Sequence, residues 1–74
     1  MPSIDIQVLE GVFSDDEKRQ IIERVTSAFG TVAGPEIQQG TSVRIHEIRS
    51  GSWGWGGNVL TTDVGLKMKA ARDD

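Results

Sequence analysis

The sequence predicts an α+β fold: a β-α-β unit with a short C-terminal hairpin or helix, oligomeric in its stable form. Three observations carry this. Residues 2–9 alternate apolar and polar side chains, a capped amphipathic helix follows Ser14, and residues 41–48 return to alternation. A strand, a helix and a second strand in that order make a parallel pair with a right-handed crossover, the helix covering one face.

In the first strand Ile4, Ile6 and Val8 alternate with Ser3, Asp5 and Gln7, and Gly11 ends the strand region. Ser14-Asp15-Asp16-Glu17 has the S-x-x-E form of a capping box, in which Ser14 and Glu17 satisfy each other's backbone donors. The acidic run suits the positive end of the helix dipole and reads as a helix start, not a metal site. Ile21, Ile22, Val25, Ala28, Phe29 and Val32 fall on one stripe of a helix of about four turns, opposite Lys18, Arg19, Glu23 and Arg24. Gly30, Gly34 and Pro35 punctuate its end, and residues 35–40 read as a connecting loop.

In the second strand Val43 and Ile45 point one way, and Ser42, Arg44 and His46 the other. Residues 51–57 are glycine-dense with two tryptophans, the composition of a turn or short hairpin with bulky anchors rather than a free linker. Thr61-Thr62-Asp63 is placed to cap a short helix over Val64, Leu66 and Met68, and the last four residues are expected to fray. Residues 1–74 read as a single domain, without internal repeats.

Composition narrows the functional classes. A chain of 74 residues buries only about 60% of the surface its unfolded form exposes, so small proteins of this kind need a staple. With no cysteine and one histidine, disulfides and thiolate metal sites are excluded and a structural zinc is not expected; no metal or cofactor is implied. Oligomerisation remains, and it places Trp53 and Trp55 at a subunit interface. The net charge of −3 argues against nucleic acid and against an anionic membrane surface as partners. No apolar run approaches the roughly 18 residues of a membrane span, and the N-terminus lacks the layout of a signal peptide, so a cytoplasmic protein is expected.

Taken together, Pro2 after Met1, the strand ending in Leu9-Glu10-Gly11, the capped helix, the second strand and Trp53-Gly54-Trp55-Gly56-Gly57 resemble the 4-oxalocrotonate tautomerase-like family of the tautomerase superfamily. The resemblance covers nearly the whole chain. It implies a β-α-β fold with a C-terminal hairpin, assembled as a homohexamer first, with dimers and trimers as alternatives. It also implies an isomerase, a keto–enol tautomerase acting on a small-molecule 2-oxo or 2-hydroxy unsaturated acid. Removal of Met1 would free the secondary amine of Pro2 as general base and acid. While Met1 is attached, that nitrogen is an amide and has no basic lone pair.

The physics of that role is coherent. A terminal amine titrates near pH 8, and an apolar pocket lowers the value by disfavouring the ammonium form. A base poised near the working pH is what proton transfer needs. Family members carry an arginine after the Glu-Gly that ends the first strand; this chain has Val12 there. A family arginine of the second strand aligns with Arg44 through Ser-Val-Arg, or with Ser42 when counted back without gaps from Trp53. Some relatives have a further arginine where this chain has Gln38. These departures weaken the implied diacid substrate, not proton transfer by Pro2.

The candidate site is thus Pro2 as the catalytic group, with Arg44, Trp53 and His46 binding substrate. Each has a plainer reading: an edge-strand proline, a solvated or ion-paired arginine, an interface tryptophan and a hydrogen-bonded histidine. Two functional alternatives follow. A Pro2 protonated at rest would suit hydratase-, dehalogenase- or decarboxylase-like chemistry. Loss of the cations at Val12 and Gln38 would suit a catalytically silent oligomeric binding module.

Overall fold

A computed structural model describes residues 1–72. The chain runs β1 (Ser3–Leu9), α1 (Asp15–Ala33), α2 (Pro35–Gln39), β2 (Ser42–Ile48), β3 (Trp53–Trp55), β4 (Asn58–Leu60) and α3 (Thr62–Ala70). β1 and β2 pair in parallel, with Ser3 opposite Ser42, Asp5 opposite Arg44 and Gln7 opposite His46. Because side chains alternate, this register puts Ile4, Ile6, Val8, Val43 and Ile45 on one face and the polar set on the other. The apolar face is half-buried under α1, while Asp5, Gln7, Arg44 and His46 are exposed.

α1 begins where the capping box places it. The Glu17 amide donates to Ser14 Oγ at 3.1 Å, and the Ser14 amide to Glu17 Oε1 at 2.9 Å. Lys18 then bridges Asp15 and Glu47, at 3.2 and 3.4 Å, tying the first turn to β2. Over its 19 residues α1 exceeds the expected four turns, running through Gly30. A side chain at Gly30 would begin 1.8 Å from Gln38 Oε1, so the glycine admits Gln38 against the helix. The sequence 35–39, expected as loop, is the short helix α2: Pro35 sits in its first turn with φ already suited to helix.

The helix stripe also needs correction. Ile21 and Val25 are half-buried, but Ile22 and Phe29 are more than a third exposed and Val32 is 92% exposed. The sheet is only two strands wide, so it cannot cover a stripe that also winds along five turns.

The hairpin forms as expected. Trp53 pairs with Leu60 and Trp55 with Asn58, and the two-residue turn Gly56-Gly57 has φ of 58° and 84°. Positive φ at both positions is the type I′ requirement, which glycine meets without strain. α3 follows directly. Thr61 caps it by position, without a side-chain bond, and Val64, Leu66 and Met68 face outward rather than into a core. The helix ends at Ala70; of the four residues expected to fray, Asp73 and Asp74 lie outside the described residues.

Thr62, Gly65 and Lys69 hold α3 against the rest of the chain. Thr62 Oγ1 donates to the Glu10 carbonyl at 2.7 Å, and the Thr62 amide donates to Ser50 Oγ at 3.0 Å. At the other end Lys69 pairs with Glu17, donates to the Val12 carbonyl at 2.9 Å and lies 5.4 Å from the centre of the Phe13 ring. Between them Gly65 lets the backbone close on Val12: a side chain at 65 would begin 2.5 Å from Val12 Cγ2.

Burial is sparse. Among the described residues only Leu9 and Val12 are buried apolar side chains, at 9% and 6% exposure. The accessible surface is 5485 Å², against about 4,500 Å² expected for a folded monomer of this mass. The radius of gyration is 14.5 Å, against about 11 Å for a compact chain of this length. A lone chain therefore leaves surface that a folded monomer would bury, Trp55, Val59 and Val32 among it. No helix among the described residues is long and apolar enough to cross a membrane.

Two outcomes follow from how α3 is held. Gly65→Ala gains up to about 1 kcal/mol of helix propensity but drives a methyl into Val12, an overpacking cost of about 1–3 kcal/mol. Val12 is buried and β-branched and has little room to yield, so the clash wins. The urea midpoint, read at fixed protein concentration, should fall. The second outcome concerns pH. The Lys69 ammonium, aided by the Ser14 amide, holds the Glu17 carboxyl down from 4.5 to about 2. The pair thus contributes fully above about pH 4.5, and its contribution is lost as pH falls toward 2. NMR shifts of the Lys69 amide and side chain should move in that window in the wild type and move far less there in Glu17→Gln.

Candidate functional site

Pro2 stands at the open end of the parallel pair. Its carbonyl accepts from the Ser42 amide at 3.0 Å, which fixes the start of β1 against the start of β2. A proline costs nothing here, since it precedes the ladder and no donor is wanted from it. Its ring is half-buried. Met1 is 83% exposed and lies beside Gly40, its Cγ 3.5 Å from where a side chain on that glycine would begin.

Arg44 is directly opposite Asp5, yet it does not pair with it. Its Nη1 lies 3.3 Å from Ser3 Oγ, one step back toward Pro2. Asp5 is met instead by His46, whose Nε2 is 3.3 Å from Asp5 Oδ1. The two polar pairs run diagonally across the exposed sheet face. Arg44 is therefore brought to the neighbourhood of Pro2. His46 is one step farther along, in a half-exposed pair that holds its ring by the Asp5 carboxylate.

Trp53 is not brought there. It follows the far end of β2, and β1 alone spans roughly 20 Å between Ser3 and Leu9 at about 3.3 Å per residue. Trp53 instead lines a cleft of about 410 Å³ with Leu9, Val12, Phe13, Leu60 and Met68. Gly65 forms part of its floor, and Lys69 and Arg72 bring positive charge to it. A second cleft adjoins it across Phe13 and Lys69, bounded on α1 by Glu17, Ile21 and Arg24.

Within one chain, then, the acid/base candidate and a cation share one end of the sheet, and the aromatic wall lies at the other. The two ends can meet only between copies. Sequence reasoning did not single out Lys69. The available signal was small: two lysines in the last turn of a short helix, where cations suit the dipole. Nothing in the linear order says that the second of them folds back onto Val12.

The fold has known counterparts. The protein-family profile for the tautomerase enzymes matches residues 2–63. The structure of YwhB, a homologue of 4-oxalocrotonate tautomerase, superposes with a TM-score of 0.71 at 30% identity, covering 80% of this chain and 93% of that one. A structure from work on the 4-oxalocrotonate tautomerase isozymes of Methylibium petroleiphilum gives 0.68 at 31% identity, covering 85% of this chain and 95% of that one. No curated protein matches the sequence. The matched family segment takes in the β-α-β unit and the hairpin and stops just inside α3. On the match over residues 2–63 and the shared fold, this chain belongs to the tautomerase family of enzymes.

Proposed function

We propose that the chain is a keto–enol tautomerase whose catalytic group is the amine of Pro2, set free by loss of Met1. It acts on an enolisable 2-oxo or 2-hydroxy unsaturated acid in a homo-oligomer, the hexamer first. The observation that carries this reading is the lean of Arg44 away from Asp5 and toward Ser3, beside Pro2.

The steps follow from the groups available. The neutral amine takes the enol O–H proton while the oxygen lone pair forms the carbonyl and the double bond shifts toward carbon. The prolinium then returns the proton to that carbon, so atoms and charge balance over the cycle. Arg44 presents a planar fork that fits a carboxylate and steadies the negative charge that develops on oxygen. The ambiguity over which second-strand position supplies the arginine is eased by geometry. Two residues along a strand is about 6–7 Å, and a side chain that leans back by one step recovers part of it.

Trp53 acts from a neighbouring copy. Its cleft supplies an apolar wall that would desolvate the amine and lower its pKa. His46 binds through its fixed ring at the margin of the same sheet face. The surplus surface of the lone chain supports assembly, and the Pro2-to-Trp53 separation makes that assembly a condition of the complete site.

The test is Pro2→Ala in a protein whose assembly is shown intact by sedimentation, assayed with phenylenolpyruvate or a 2-hydroxydienoate. Proton transfer by a positioned group contributes about 10²–10⁴-fold, so ketonisation should fall by about 100-fold or more. Wild-type activity in the variant would sink the mechanism. Nitrogen-detected NMR of the mature wild type separates base from acid: a prolyl pKa below neutrality supports the base, and one above about 8 supports the resting-protonated alternative.

A further inference from the structure

We propose that Asp5 and His46 are positioning residues for Arg44. Held by His46, Asp5 leaves the guanidinium available to a substrate carboxylate; released, it takes the guanidinium for itself. This rests on the reading that Arg44 receives the substrate's carboxylate, and it gives His46 a part beyond its place at the margin of the site.

The strand register sets up the competition. Arg44 and Asp5 are direct partners across the parallel pair, and so are His46 and Gln7. Partners on adjacent strands stand about 5 Å apart and leave the same face of the sheet. Neither β2 side chain uses its partner. Arg44 reaches one same-face position back to Ser3 Oγ, and His46 one such position back to Asp5 Oδ1, both at 3.3 Å. The same groups admit a second arrangement, in register, with Arg44 on Asp5 and His46 on Gln7. In that arrangement the guanidinium is neutralised and drawn away from Ser3.

The observed choice is the weaker one for Arg44 alone. A carboxylate answers a guanidinium with opposite charge and a matching fork, whereas a serine hydroxyl offers a single neutral oxygen. Arg44 nevertheless takes Ser3, while the carboxylate opposite it is occupied by His46. The His46 contact is what offsets the difference. The side chains of His46 and Asp5 are both about half exposed, so packing does not fix either, and the polar partner decides where each one points.

No other strand carboxylate enters the competition. Within β1 and β2 the acidic residues are Asp5 and Glu47. Alternation puts Glu47 on the opposite face, where Lys18 of α1 holds it at 3.4 Å. Asp5 is therefore the strand carboxylate that shares a face with Arg44, and its engagement sets how much positive charge the proline end of the sheet presents.

The test uses the mature, assembled protein and benzoylformate, a 2-oxo acid with no hydrogen beside its carbonyl to enolise. An NMR titration follows the Arg44 Nε–H. Ion pairs near solvent shift an equilibrium by a few-fold, so His46→Leu, which removes the donor to Asp5, should weaken binding by about threefold to fivefold. His46→Gln, whose amide nitrogen stands in for Nε2, should restore it. Asp5→Asn should strengthen binding more in the His46→Leu protein than in the wild type, where the carboxylate is already held. Without ligand, the Arg44 Nε–H of His46→Leu should shift and exchange more slowly with solvent as it pairs with Asp5. If His46→Leu does not assemble, His46→Thr, too short to reach Asp5, carries the same comparison. Three results would overturn the inference: unchanged binding in His46→Leu, a loss there that Asp5→Asn does not recover, or equal gains from Asp5→Asn in both backgrounds. The second would mean that the ring itself touches the ligand, and the third that Asp5 acts only as a general negative charge. Arg44→Gln separates the two levels. If it binds the probe as well as the wild type, or if the wild type does not bind at all, the anion-binding reading of Arg44 falls and this inference with it. If it loses affinity while the Asp5 and His46 variants behave as in any of those three results, the positioning inference falls alone. Because the probe cannot be enolised, none of these outcomes depends on whether Pro2→Ala abolishes ketonisation.

Discussion

A two-stranded parallel sheet with one helix on it has a face it cannot cover, and that constraint governs the rest of this structure. β1 and β2 turn their apolar residues to α1, and the opposite face, with Asp5, Gln7, Arg44 and His46, is left open. Only Leu9 and Val12 are buried among the apolar residues described. Both lie just where β1 gives way to the loop before α1, under α3 and the hairpin. The best-packed part of the chain is therefore the region around the cleft, and the end that carries Pro2 is held chiefly by backbone pairing. The proposed site, drawn from both ends, would need a second copy, and the surplus surface of the lone chain supports assembly.

Charge is distributed to match. On the sheet face Asp5 is taken by His46, which leaves Arg44 to lean toward Ser3 and the proline. On the helical side Lys18 fastens α1 to Glu47 of β2, and Lys69 fastens α3 to Glu17 of α1. Ion pairs near solvent such as the first contribute little to stability on their own. Their effect is positional. The Lys69 contact selects one arrangement of α3, and with it the shape of the cleft that Trp53 lines.

Much of this was legible from local chemistry. The alternation of Ile4, Ile6 and Val8, the Ser14–Glu17 box and the Val43–Ile45 pair each determine a local geometry that tertiary contacts do not override. The failures have physical causes. The five residues 35–39 are too few to show a periodic stripe, so a one-turn helix looks like a loop. Val32 obeys helical spacing, yet spacing cannot say how wide a sheet lies beneath, and at 92% exposure the residue has passed beyond it. Val64, Leu66 and Met68 fall in the short helix that the sequence implies, and they stay exposed because one chain offers them no core. For the site, the sequence places Pro2 and Arg44 on neighbouring strands, and the register brings them close. It places Trp53 near neither end in particular, because the direction of a hairpin after a strand is a tertiary matter. Lys69 was hidden for the same reason, since its partner Glu17 is remote in sequence.

The central claim is that catalysis belongs to the assembly, since one chain holds the proline and its cation at one end and the aromatic cleft at the other. The most direct measurement is specific ketonisation activity along a dilution series, with sedimentation velocity recorded at each concentration. The account predicts that activity per chain falls in step with dissociation and returns on reconcentration. Monomers that keep the full rate per chain would contradict it.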